Sequence, residues 1–106
     1  MGDAPDKPDP KGFINLSKKL IGDKLGESNI PIAYVGDTIA DINTVINARK
    51  EIPSQKFISI GIAPPHLHLN SRLKERNSYE TNLRDAGADL ILNSIYDLKD
   101  INLDLF

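Results

Sequence analysis

Two aspartates set four residues apart, Asp37 and Asp41, stand directly after an apolar run in the stretch PIAYVGDTIADI, Pro31 to Ile42. With a helix beginning near Thr38, Asp37 lies at its start and Asp41 one turn in, so both side chains can face one side. Two carboxylates roughly 6 Å apart repel by about 3 kcal/mol at an effective dielectric near 20. A hard divalent cation removes that repulsion, and Mg²⁺ suits it, because it takes oxygen ligands and keeps several waters. Gly36, without a side chain, lets a ligand come close to the end of the run. A plainer reading is also available: aspartate at a helix start caps the helix and favours its dipole. Capping accounts for Asp37 and leaves Asp41 unexplained.

A second feature lies upstream, in KPDP from Lys7 to Pro10. Prolines on both sides of Asp9 stiffen the backbone. A lysine on such a segment can hold a point charge over an anionic site, whereas in the ordinary case an exposed lysine is only solvated. His66 and His68, in APPHLHLNSR, would face the same way on a strand, but the two prolines and the absence of a matching acid motif make this a surface loop. Tyr34, inside an apolar run, reads as core. There is no dinucleotide-binding glycine loop, no phosphate loop of the G-x-x-x-x-G-K-[ST] type, and no Ser-His-Asp spacing.

The elements that must position these residues follow from pattern. Asp9 and Pro10 predict a helix start, with Phe13, Leu16 and Leu20 at helical spacing and Gly26 as its stop. Ile32 to Gly36 reads as a strand, and Ile39, Ile42, Val45 and Ile46 define one side of a helix running from about Thr38 to before Pro53. Lys56 to Ile62 predicts a second strand, Tyr79 to Ala86 a third helix closed by Gly87, Ala88 to Ser94 a third strand, and IYDLKDI one more helical turn. NSRLKERNSYETNLRD reads as a solvated segment leading into the third helix. Strands separated by helices imply right-handed crossovers and a parallel sheet covered on both faces, an α/β, three-layer, Rossmann-like arrangement. Ligands of such sheets sit beyond the carboxyl ends of the strands, which is where Gly36 and Asp37 fall.

The totals narrow the classes. With 106 residues the chain makes one domain, and it has no cysteine for disulfides or thiolate metal sites. Thirteen basic against fifteen acidic residues give no basic excess to point to nucleic acid. No apolar run approaches the roughly 20 residues of a membrane span. A polar, proline-rich beginning has no signal-peptide core, and a soluble, cytoplasmic chain is expected.

Taken together, Lys7-Pro8-Asp9-Pro10, a helix, a strand and then Gly36-Asp37-Thr38-Ile39-Ala40-Asp41 resemble the C-terminal half of the haloacid dehalogenase (HAD) superfamily. The match is to its phosphatase-like members, whose third motif reads K-P-x-P and whose fourth reads G-D-x-x-x-D. DAGAD and LILNS further along also fit, so the likeness covers about Lys7 to Leu105. It implies a HAD-like fold and a Mg²⁺-dependent phosphatase acting on a small phosphorylated substrate through an aspartyl-phosphate. It further implies that Asp37 and Asp41 complete the metal site, Asp37 the more directly, with Gly36 and Thr38 beside the phosphate. Lys7 would offset negative charge on the nucleophile and the transferring phosphoryl group.

The departure from that pattern is equally specific. The family's nucleophile motif is D-x-D-x-T, and no two aspartates of this chain are separated by one residue. The second motif and the cap that sets substrate choice are missing as well, so the resemblance implies the distal half of a longer enzyme, inactive alone. In the family the nucleophile strand lies beside the motif-four strand; without it, Ile32 to Gly36 is expected to be an exposed edge that recruits the missing half or another copy. The alternative function is a non-catalytic α/β module pairing through that edge. A receiver-like phosphoacceptor domain fits less well, because its lysine follows the acids.

Overall fold

The structure, a computed structural model, describes residues 8–27 and 30–103. Three helices, α1 (Lys11–Ile21), α2 (Ile39–Glu51) and α3 (Leu73–Ala86), alternate with three strands, β1 (Ile32–Gly36), β2 (Phe57–Ile62) and β3 (Leu90–Leu92). Turns of 3-10 helix occupy Gly22–Lys24, Pro65–His68, Asn70–Arg72 and Ile95–Asp100. The strands form one parallel sheet in the order β1-β2-β3, with Ile32 opposite Phe57 and Gly61 opposite Ile91. The α/β class with a parallel sheet expected from the sequence is therefore the fold. Among the described residues β1 pairs with β2 alone and forms one edge of the sheet. No described helix is long and apolar enough to cross a membrane.

Strand order that follows chain order puts both crossovers on the same side of the sheet when each is right-handed. The packing agrees. Phe13 of α1 and Val45 and Ala48 of α2 cluster with Ile32 and Phe57, and Leu83 of α3 lies over Gly61. Phe13 is the hub of this layer, with its ring 5.1 Å from both Tyr34 and Phe57. The other face presents Ala33, Val35, Ile58, Ile60, Ile62, Leu90 and Leu92, and it packs with Ile101 and Leu103. Both faces are apolar, as the near-continuous strand runs predict. Among the described residues the helices share one face, and the third layer is the C-terminal segment.

Element ends differ from expectation in instructive ways. Asp9, expected as the cap of α1, lies one residue ahead of the cap position, and its Oδ1 accepts the Lys11 N–H at 2.9 Å. Pro10, which has no N–H to give, sits in the cap position rather than in the first turn, and its carbonyl receives the Ile14 N–H at 2.8 Å. The helix stops at Gly22 (φ +57°), a conformation that glycine adopts without strain, four residues before the expected Gly26. The third helix starts at Leu73, not Tyr79. Its first two turns are polar and carry no apolar stripe, and the pairs Arg72–Glu75 (2.8 Å) and Arg76–Glu80 (3.0 Å) support them instead.

Candidate functional site

The carboxyl tip of β1 turns into α2 through Gly36, Asp37 and Thr38, and Asp41 organises that turn. Asp41 is buried, only 3% exposed. Its Oδ2 accepts the backbone N–H groups of Asp37 and Thr38, each at 3.1 Å, and the Thr38 hydroxyl at 2.9 Å. Its Oδ1 accepts the Tyr34 hydroxyl at 2.9 Å. In return Thr38 Oγ1 accepts the Asp41 N–H at 3.1 Å, which completes a reciprocal cap at the start of α2. A carboxylate offers about four lone-pair sites, so Asp41 has spent most of its capacity on the protein.

Gly36 serves this arrangement. A Cβ at position 36 would fall 2.3 Å from Asp41 Cβ and 2.5 Å from Asp41 Cγ. The space left by the missing side chain, which the sequence suggests for a ligand, is taken up by Asp41.

Asp37 is placed differently. Its N–H is given to Asp41, and its carbonyl accepts the hydroxyl of Tyr79, which reaches across from α3. Its carboxylate, on a half-buried residue, has no hydrogen-bond partner among the described residues. Tyr79 feels the charges beside it: burial first, then Asp37 and Asp41, raise its pKa above the ordinary tyrosine value of 10.0.

Asp37 and Asp41 line a cleft of about 650 Å³ beyond the carboxyl ends of β1 and β2. That lies within the ~300–1,000 Å³ typical of small-molecule sites and in the position that an open parallel sheet offers. From β2 and the loop after it come Ile62, Ala63, Pro64, Pro65 and His68; Ser94 closes the far side. His68 ends the turn Pro65–His68, and its Nε2 lies 2.7 Å from the Ala63 carbonyl oxygen. A carbonyl only accepts, so Nε2 carries the hydrogen and fixes the ring. His66, two residues earlier, is exposed and lines a separate groove with Lys74 and Tyr79.

Of the residues singled out in the sequence, Gly36, Asp37, Thr38 and Asp41 therefore meet in one turn. Lys7 lies outside the described residues. Tyr34 packs its ring against Phe13 as a core residue should, yet its hydroxyl belongs to the site. Tyr79 is not among the residues that the sequence singles out, and His68, which the sequence places in a surface loop, lines the cleft. No local signal points to Tyr79, which is 42 residues from the carbonyl it holds. The spacing Thr38-x-x-Asp41 is itself a signature of a reciprocal helix cap and identifies what Asp41 does.

The chain matches no protein-family model, no curated protein and no solved structure. Among the described residues no three His, Asp or Glu side chains converge as a metal cluster. What is present is one carboxylate residue, Asp37, lining the cleft, with its backbone N–H held by a second, buried carboxylate, Asp41. Mg²⁺, a hard cation, takes one or two carboxylates and completes its octahedron with water and substrate oxygens; of these two acids, Asp37 is the one whose carboxylate would be open to it.

Proposed function

We propose that this chain supplies the metal-holding sheet tip of a Mg²⁺-dependent phosphohydrolase of the HAD type, acting on a small phosphate ester. One observation supports the reading: at the end of a parallel strand, the Asp37 carboxylate stands in a cleft without a hydrogen-bond partner among the described residues, while its neighbour Asp41 is engaged by the turn. Asp37 would hold the ion. Asp41 would not displace water from it but would keep the turn, and hence Asp37, in place. When bound, Mg²⁺ supplies charge neutralisation and a fixed position for a phosphate oxygen.

The rest of the turn sets the charge balance. The N–H groups of Asp37 and Thr38 are consumed by Asp41, so the start of α2 has little to offer a phosphate directly. Attraction for the anion must come from the cation and from Lys7. Without a D-x-D-x-T aspartate the chain lacks the nucleophile that the reaction uses, and alone it is expected to leave aryl phosphates intact.

Backbone amide NMR tests the reading. Titration with Mg²⁺ and then with inorganic phosphate should shift Gly36, Asp37, Thr38 and Ile39, with a millimolar midpoint, and Asp37→Asn should abolish the response. Shifts scattered over the surface, or an unchanged response in the variant, would refute it. A second reading, an interaction module, is favoured by the open edge of β1. Light scattering that shows assembly indifferent to Mg²⁺ and to both aspartates would select it.

A further inference from the structure

The acids occupy only one end of the cleft. The remaining wall continues from Val35 through Ile62, Ala63, Pro64 and Pro65, which are apolar, with His68 and Ser94 as its polar side chains among the described residues. Ile62 and Val35 belong to the apolar face of the sheet, so this wall is an extension of the core surface to the strand tips. Pro64 (φ −63°, ψ 155°) and Pro65, at the start of the 3-10 turn, present rigid ring faces that lose little entropy when a ligand covers them. Among the described residues no lysine or arginine lines the cleft.

A phosphate and its cation at Asp37 would leave most of this wall uncovered. A second anionic group on the ligand would meet no cationic partner there among the described residues, and a hydroxyl-rich group would lose water against the prolines and Ile62, with few side chains beside Ser94 and His68 to replace its hydrogen bonds. Among the described residues His68 is the only nitrogen side chain on the wall. With Nε2–H given to Ala63, the ring nitrogen left to meet a ligand is Nδ1.

We infer that the ligand of this cleft is a monophosphate ester whose organic part is small, uncharged and apolar, lying on Val35, Ile62, Pro64 and Pro65 while its phosphate faces the ion at Asp37. This rests on the metal-holding reading of Asp37 and adds the substrate class. Buried apolar contact favours such an ester over a polyol phosphate of equal charge.

The test compares phenyl phosphate with glycerol phosphate on the full chain, by amide NMR with and without Mg²⁺. Phenyl phosphate should bind at least tenfold more tightly, and should shift Ile62, Ala63 and His68 as well as the Asp37 turn. Removal of Mg²⁺ should weaken it by a similar factor. Pro65→Asp, an exposed loop position whose folding is checked by its amide spectrum, should remove the preference. Equal affinities, or phenyl phosphate shifts confined to the Asp37 turn, would overturn the inference while Mg²⁺ and inorganic phosphate still bound at Asp37. Failure of Mg²⁺ and phosphate to shift that turn at all would overturn the metal-holding reading, and this inference with it.

Discussion

The two ends of the sheet handle carboxylates in opposite ways. At the amino end, Asp89 accepts the Ser59 N–H at 2.8 Å and pairs with Arg49, whose guanidinium also donates twice to the Phe57 carbonyl, at 2.8 and 3.1 Å. Nearby, the buried Gln55 accepts the Gly26 N–H at 2.9 Å and donates to the Ile30 carbonyl at 2.7 Å. Charge and amide are both used to close the chain on itself. At the carboxyl end, Asp41 is used in the same way, but Asp37 is not. Folding requires buried polar groups to be satisfied; a half-buried acid held in position and left without a partner among the described residues is what the fold does not need. The contrast separates Asp41, which belongs with Asp89 as architecture, from Asp37.

The comparison breaks most sharply at Gly36. In Gly36→Ala the new methyl would overlap Asp41, a neighbour fixed by its own hydrogen bonds. Either β1 shifts or Asp41 abandons its bonds. Loss of about 3 kcal/mol is expected, read as a drop of more than about 10 °C in the melting midpoint. A variant as stable as the parent would mean that Asp41 is not locked. At the amino end, Asp89→Ala strands the N–H of the buried Ser59 and one side of the partly exposed Arg49. Urea unfolding should show the smaller loss of about 1–2 kcal/mol.

These sites show how far local pattern reaches. The strand Ile32–Gly36 and the start of α2 at Thr38 were legible because an apolar run, a glycine and a capping residue occur in sequence there. The first six residues of α3 were not, because an exposed helix supported by Arg–Glu pairs has no apolar period to read. At the site, the acid pair was visible as spacing, but the division of labour within it was not. That division depends on Tyr34 and Tyr79, and the second comes from another helix. His68 was set aside as a loop residue, and it is one, on a loop that folds back over the strand tips.

Tyr79 offers a way to sharpen the contrast between the two acids. Tyr79→Phe removes the bond to the Asp37 carbonyl and should cost about 1 kcal/mol near neutral pH. The pH dependence follows from the raised pKa. In the unfolded chain the phenol ionises near 10, whereas in the fold it holds its proton longer because of burial and the two carboxylates. Its contribution is therefore whole below pH 10 and is lost as pH rises through the folded value. Wild-type stability should fall between pH 10 and higher pH more steeply than that of Tyr79→Phe, in denaturant melts taken in parallel. Parallel curves would show that Tyr79 does not sense the acids.

The smallest expected effect on stability belongs to Asp37→Asn, and it decides most about function. Asp37 caps no other group through its side chain, so its loss removes only a favourable charge at the start of α2, worth about 0.3–1 kcal/mol. It also relieves repulsion with Asp41, which offsets part of that cost. Net change should be within about 0.5 kcal/mol, against the clear loss at Asp89. Mg²⁺ should separate them further. At several times its dissociation constant the ion should stabilise the parent by about 1 kcal/mol, through binding to the folded state alone. Asp89→Ala should retain that increment on its lower baseline, while Asp37→Asn should melt identically with and without Mg²⁺. An increment that survives in Asp37→Asn would place the ion elsewhere and make Asp37 one more surface acid.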